Sequence, residues 1–474
     1  MRSMAALTVI ASLANDLISF IVFSALDLLD FLLCFVYKLV DYAMEAEWRP
    51  CYCSGSGKDM IMNSGKILIS DNGGSKVLSL CSSKLELEDI SDTLYSRPSL
   101  VSEISRSLKI ERKHRQTATS SATTTTFTIN STIIEMLQCK IGRRQTNPVP
   151  RWSDCHCKDC SSWCSPGGSP DTLFIRSLIP PEAEEDVLFI HGFISSSAFW
   201  TETVFPNFSE EAKSKYRMFA VDLLGCGRSP KPGDSLYTLR EHVDMIERSV
   251  LIPFNLKSFH IVAHSLGSIL ALALAIKHPN SIKSLTLLAP PYFPVPEGEK
   301  GTQYVLRRVA PRRVWPLMAF GASLICWYEH LSRTICLLLC KHHQLLKFIF
   351  KLITFNRIRT FLMDGFFCHT HNASWHTMHN IICGSGGKLD DYLDIVRDEL
   401  CCDVTVFHGG ADELLPVECS LAVKAKIPRA QVNVVQDMDH ITIVVGRQKA
   451  FARDLEEIWK NTKNCRKLNE RNES

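Results

Sequence analysis

The stretch Ser258–Ala275, "SFHIVAHSLGSILALALA", leaves few folds open to this chain. Phe259 to Ala263 is an apolar run of strand length, and Ile269 to Ile276 is an Ala- and Leu-rich run of helical character. Between them, Ala263-His264-Ser265-Leu266-Gly267 reads as a small-x-Ser-x-Gly turn. Such a turn lifts the serine hydroxyl clear of a sheet and aims the N-terminus of the next helix at it. Residues two before and two after the serine must be small, because strand and helix nearly touch there. Ala263 stands where the strict pattern has glycine. An ordinary strand-to-helix turn fits the same five residues, so the rest of the chain decides.

From about Asp171 the pattern alternates. "EDVLFIHGF", "YRMFAVDLLGCGRS", "SFHIVAHSLG", "SIKSLTLLAP", "CDVTVFHGGADELLP" and "AQVNVVQDMDHITIVVG" carry strand-like runs, separated by helical stretches such as "LREHVDMIERSVL" and "PVECSLAVKAKI". Near-continuous apolar strands alternating with helices predict a mostly parallel sheet covered on both faces. Chemistry in such sheets collects at the carboxyl ends of the strands. His191, Asp222, Ser265, Asp412 and His440 all fall at that edge.

Three of these form a working set. A serine hydroxyl is a weak nucleophile until a base takes its proton, and the base needs an acid to hold its tautomer. The order Ser265, Asp412, His440 is the one expected of an α/β-hydrolase fold. Asp412 follows a strand in "HGGADELLP", and His440 sits in a turn after the last strand, in "DMDHIT". Asp439 is adjacent to His440 and badly placed to orient it, and Asp222 is expected to brace the glycine-rich turn at Gly225 and Gly227. Negative charge developing on a substrate carbonyl needs N–H donors. The turn His191-Gly192-Phe193 offers the Phe193 amide, and the helix start offers that of Leu266. His191, Gly192, His264 and Gly267 then have supporting roles, and His191 is read as structural.

The core is therefore assigned to 171–290 and 391–462, with an inserted helical cap over 291–390 and a polar tail over 463–474. From Gln303 to Met363 the cap carries ten Lys or Arg and one acid, Glu329, among bulky apolar residues. Basic amphipathic helices suit an anionic membrane surface or an acyl chain with an anionic head. A solvated basic face is the plainer reading. His369, His371, His376 and His379 are expected to line or brace a pocket, and no metal or other cofactor is called for.

Residues 1–45 form a hydrophobic signal or anchor helix. At about 100° per residue, Asp16, Asp27, Asp30, Lys38 and Asp41 share an arc of roughly 80°. A membrane-lying helix would bury the wide apolar face and keep these acids toward water. The plain alternative is a helix docked on the folded domain. Residues 46–170 read as a loosely ordered arm, with "TATSSATTTTFT" and the basic "SRSLKIERKHRQ". Its dense feature is "RWSDCHCKDCSSWC". Cys155, His156, Cys157, Cys160 and Cys164 could bind zinc, although their spacing is tighter than the usual paired arrangement; in an oxidising compartment the cysteines favour disulfides, with Cys51 and Cys53 as further partners. Sequons stand at Asn130, Asn207, Asn372 and Asn472. A net charge of +3 on 474 residues gives no argument for nucleic acid, and oligomeric state is not legible.

The strings "EWRPCYC", "SDTLYSRPSL", "PRWSDCHC", "VLFIHGFISSSAFWTETVFPNFS", "AVDLLGCGRSPKP", "HTHNASWHTMHNIICGSG" and "VFHGGADELLPVECS" resemble plant BODYGUARD-type proteins. That resemblance spans nearly the whole chain. It implies an α/β-hydrolase of lysophospholipase type tied to cuticle formation, with Ser265 as nucleophile relayed through His440 and Asp412. It also implies a place in the secretory route, at the cell wall or the outer face of the plasma membrane. The leading expectation is a serine esterase acting on acyl lipids through an acyl-enzyme. An acyltransferase on the same triad and a non-catalytic lipid receptor or scaffold are the alternatives. The His-x4-Asp element of some acyltransferases is missing, since Val445 stands five residues after His440.

Overall fold

The computed structural model describes residues 2–45, 66–71, 74–79, 90–98, 152, 154, 172–233, 235–353, 355 and 360–472. The Cys155–Cys164 cluster, Cys51, Cys53, Asn130 and most of the 46–170 arm lie outside these. In chain order the principal elements begin with α1 (Arg2–Glu45), the hairpin strands β1 (Lys66–Asp71) and β2 (Gly74–Ser79), β3 (Ile175–Leu178), β4 (Glu185–Ile190) and β5 (Tyr216–Val221). Next come α2 (Leu239–Ile246), β6 (Phe259–His264), α3 (Leu266–Lys277) and β7 (Ile282–Leu288). The insertion supplies α4 (Gly301–Val309), α5 (Leu317–Trp327), α6 (Glu329–Lys341), α7 (His343–Ile353), α8 (Thr360–Phe367) and α9 (His371–Thr377). The chain closes with α10 (Lys388–Asp398), β8 (Asp403–Gly409), α11 (Glu418–Lys426), β9 (Gln431–Val435) and α12 (Gln448–Asn472).

Packing divides the chain into two units: 1–88, 92–152 and 310–334 in one, and 89–91, 153–309 and 335–474 in the other. The second contains a seven-stranded sheet in the order β3-β5-β4-β6-β7-β8-β9. β3 is antiparallel to β5, and every other pair is parallel. This is the α/β-hydrolase architecture expected from the alternating pattern. The antiparallel edge strand β3 escaped that pattern, because "IRSL" is short and half-exposed. All six residues of β4 and of β6 are buried, as central strands of a doubly covered sheet must be. Ile190 pairs with Ala263 and Ala263 with Leu287, so the strands exit together at one edge. Beneath the sheet, Trp459 of α12 packs with Phe189, Phe208 and Tyr216. α12 runs on through most of the stretch read as a polar tail. α2 starts at a reciprocal cap: Thr238 Oγ1 accepts from the Glu241 amide, and the Glu241 carboxylate accepts from the Thr238 amide.

In the first unit, α1 is buried along Ser19, Phe23, Asp27, Asp30, Cys34, Tyr37 and Asp41, a seam at three- and four-residue spacing. Against it lie residues 312–334. Arg312 Nη2 is 3.0 Å from both oxygens of Asp27. Asp30 Oδ1 accepts the backbone N–H groups of His330 and Leu331, each at 2.9 Å, at the start of α6. Arg333 holds Asp41 through two bonds of 2.7 Å. The expectation that the acids face water is therefore corrected. Asp27, Asp30 and Asp41 are buried and bound, while Leu17, Ile21, Leu28, Leu32 and Leu39 are exposed. Two of the sequons change standing too: Asn372 is buried in α9, and Asn207 is half-buried with its amide donating to Thr203 O.

Candidate active site

Ser265 sits between the last residue of β6 and the first of α3 with φ 51° and ψ −121°. Few L-residues adopt such a backbone, and it persists only where its surroundings fix it. Here the Ser265 amide donates to Leu288 O at the end of β7 (2.7 Å). The close approach argued from small residues is present. A Cβ on Gly267 would lie 2.7 Å from His191 O and 2.8 Å from Ile190 O. One on Gly192 would lie 2.8 Å from His264 Nδ1 and 3.2 Å from Ser265 Cβ. The β4 exit loop is thus pressed against the elbow, which brings Gly192 and Phe193 to the same end of the sheet as Ser265. Leu266 opens α3, so its N–H is among the first four of a helix, which have no partner one turn back. Ile194, with φ 49°, completes the turn after Phe193.

Asp412 and His440 meet directly: His440 Nδ1 is 2.7 Å from Asp412 Oδ2. The other Asp412 oxygen accepts the N–H groups of Leu414 and Leu415, both at 2.9 Å. Burial alone would raise the Asp412 pKa. The His440 bond and charge and the Leu415 N–H outweigh it and hold the carboxyl below its usual range. His440 in turn is seated by His264, whose Nε2 bonds to His440 O at 2.9 Å with the two rings 4.7 Å apart. Phe199 stacks on the His264 ring at 4.9 Å. Burial, then repulsion from His440, pushes the His264 pKa down to about 3, so this ring stays neutral.

The rival acids are occupied elsewhere. Asp222 accepts the amides of Ser197 and Arg228 (2.6 and 2.8 Å), and a Cβ on Gly227 would strike its carboxylate. Asp439 accepts the amides of Ile441 and Thr442 and so caps the turn that carries His440. His191 is fully buried, with Nδ1 donating to Gly192 O (2.7 Å) and Nε2 accepting from the Leu223 amide (2.9 Å). His408 was missed by sequence reasoning. Its ring bridges Ser420 Oγ (2.6 Å) and Leu415 O (2.9 Å), with Nε2 3.6 Å from Asp412 Oδ2. Its only sequence signal is position: it stands on β8, four residues before Asp412. The four cap histidines are buried; His369 and His376 bond to the carbonyls of Phe366 and Asn372, and His379 lies 4.4 Å from the Trp375 ring. Among the described residues no His, Cys, Asp and Glu gather as a metal site.

A mostly parallel sheet with a serine at a positive-φ elbow and an Asp–His pair beside it is the form of an α/β hydrolase, and the model of the alpha/beta hydrolase fold matches residues 187–310. At the level of whole chains the similarity is closer. The Arabidopsis thaliana protein named "Probable lysophospholipase BODYGUARD 3" is 57% identical, over 98% of this chain and 99% of that one. "Probable lysophospholipase BODYGUARD 1" from the same plant is also 57% identical, over 94% of this chain and 97% of that one. "Probable lysophospholipase BODYGUARD 4" is 37% identical, over 93% and 96%. The chain belongs to the BODYGUARD family and is a hydrolase.

Proposed function

We propose that the protein is a serine esterase acting on acyl lipids, of which a lysophospholipid is the simplest case. In this reading His440 Nε2 takes the Ser265 Oγ proton as Oγ attacks the ester carbonyl. Asp412 holds the imidazole in the needed tautomer and stabilises the imidazolium that forms. The amides of Phe193 and Leu266 receive the oxyanion. The alcohol leaves with the proton from His440, and water then repeats the attack on the Ser265 acyl ester to release a fatty acid. The observation that carries this reading is the 2.7 Å contact between His440 Nδ1 and Asp412 Oδ2, with His440 packed on His264, the neighbour of Ser265.

The names of the relatives support the lysophospholipid class, and a role in cuticle formation is what the resemblance in sequence implies. α1 supports a place on the secretory route: it is long and apolar enough, by length and composition, to engage a membrane. The exposed apolar side chains of α7, Leu345, Phe348, Leu352 and Ile353, support lipid contact by the cap. The test is the wild-type chain against Ser265→Ala with a fluorophosphonate probe, followed by product profiling on lysophospholipids and on hydroxy-fatty esters. Labelling lost in the variant and free fatty acid released by the wild type are expected. Labelling at wild-type strength in Ser265→Ala would sink the reading, and oligomeric esters in place of free acid would move it to acyl transfer.

A further inference from the structure

Within the first unit, α1 inverts the usual arrangement of an amphipathic helix. Its polar seam is enclosed by residues of the insertion, and its apolar face is bare. Each buried acid has its own partner 285 to 301 residues downstream in the chain. Ser19 Oγ accepts the Val314 amide (3.0 Å), Phe23 stacks on Tyr328 (6.3 Å between centroids), and Tyr37 bonds to Thr334 (2.8 Å). Trp152 Nε1 adds a bond to Asp41 (2.6 Å). A cleavable signal needs only an apolar core, a short basic start and a small-residue exit. Nothing in that requirement accounts for three acids matched one to one with Arg312, the α6 N-terminus and Arg333.

We infer that α1 stays in the mature protein as an in-plane membrane anchor, clamped by Arg312, the α6 N-terminus and Arg333, with its bare face in the lipid. The clamp sets the orientation. The seam from Ser19 to Asp41 covers about 33 Å of helix, close to the full hydrocarbon thickness of about 30 Å. Were α1 to cross the bilayer, Arg312 and Arg333 would be drawn into it. So would α5, whose 11 residues are about half of what a crossing needs. An in-plane helix avoids both. Asn15 Nδ2 bonds to Trp315 O (3.5 Å), so Trp315, exposed like Leu317 and Met318, extends the apolar face. Lipid is the occupant rather than the chain's own arm, since the 46–150 stretch is rich in Ser, Thr, Gly and charge. Cleavage after α1 would take away the carboxylates that hold Arg312 and Arg333 and uncover the face on which α1 rests.

This inference rests on the reading that α1 meets lipid, and is independent of the chemistry at Ser265. The full chain, tagged differently at each end, is translated into microsomes. One polypeptide carrying both tags, both protected from added protease and extracted only by detergent, is expected. A mature N-terminus between about residues 40 and 50, an accessible N-terminal tag, or recovery without detergent overturns it. Asp41→Arg or Arg333→Asp alone is expected to cut the detergent-extracted folded yield more than tenfold, and the double swap to restore it within about twofold. Neutral single variants, or no rescue, overturn the clamp. Leu17→Gln, Ile21→Gln, Leu28→Gln and Leu32→Gln combined are expected to release the chain from membranes while fluorophosphonate labelling in micelles persists. Retention on membranes overturns the lipid-facing assignment, as does a wild-type dimer that buries α1. Loss of labelling in the wild type would strike the esterase reading and leave the anchor standing.

Discussion

The sheet edge and α1 both bury carboxylates, and they do so for opposite ends. At the sheet edge, Asp412 is buried against a histidine whose ring keeps a small exposed area, and in the proposed mechanism its charge steadies the imidazole as that ring gains a proton. Along α1, Asp41 is buried against an arginine that is equally buried, and no proton has anywhere to go. The first pair has one geometry fixed by backbone amides and a third residue. The second closes a seam on a helix whose opposite face carries exposed apolar side chains. A buried acid is therefore chemical or architectural according to what lies behind its partner, and substitutions separate the two.

The largest effect is expected at the sheet edge. Asp412→Asn keeps the size and the Leu414 and Leu415 contacts but removes the charge that fixes the His440 tautomer. Ester turnover should fall about 10⁴-fold, by analogy with the same change in serine proteases, with the melting temperature shifted little. Turnover within tenfold of wild type would show that this pair is architectural as well.

For α1 the expected pattern is reversed. Removing one partner, as in Asp41→Ala, should cost about 3–5 kcal/mol in detergent because the buried Arg333 loses the carboxylate that binds it through two bonds. Replacing the pair with apolar residues of similar size, Asp41→Leu with Arg333→Met, should bring stability back to within about 1–2 kcal/mol of wild type. Denaturation monitored by tryptophan emission measures both. Turnover in micelles is expected to follow the folded fraction. If the apolar pair is folded yet inactive, the clamp is linked to the chemistry and the contrast drawn above fails.

Much of the sheet edge was legible because its signals are local. The small residues of the elbow, the His191-Gly192-Phe193 turn and the order of Ser265, Asp412 and His440 each lie within a few residues or follow chain order. His408 was not legible, since its role is a contact to a carboxylate rather than a pattern. The α1 stripe was legible as a stripe, and of the readings it left open the water-facing one fails while the docked one holds for Asp27, Asp30 and Asp41. Periodicity says which residues share a helix face but not what covers it, and the partners here lie nearly 300 residues away. β3 was missed for a related reason: four half-exposed residues at a sheet edge carry too little hydrophobic contrast to stand out.

A smaller effect separates positioning from chemistry through pH. His264 has a folded pKa near 3 against 6.5 for a free imidazole. Below pH 6.5 the unfolded chain takes up a proton that the folded chain refuses, so this group's stability contribution is complete above 6.5 and is lost as pH falls toward 3. His264→Gln retains an N–H for His440 O and cannot protonate. The slope of stability against pH between about 6 and 4 should flatten by one proton, about 1.4 kcal/mol per pH unit. An unchanged slope would mean that His264 is already charged in the folded protein.

The smallest effect is expected at Asp439, and it bears most directly on which acid serves His440. Its Oδ1 accepts the amides of Ile441 (2.9 Å) and Thr442 (2.7 Å), and its own amide donates to Thr442 Oγ1 (2.7 Å). Those bonds are local to the turn, and burial of Asp439 is slight beside that of Asp412. Asp439→Ala therefore removes a turn cap, worth about 1 kcal/mol, and leaves the 2.7 Å bond from His440 to Asp412 in place. Turnover should stay within about threefold of wild type while the melting temperature drops by about one to two degrees. A turnover loss comparable to that of Asp412→Asn would make Asp439 the orienting acid, and would reassign the amide-braced Asp412 to holding the β8 loop.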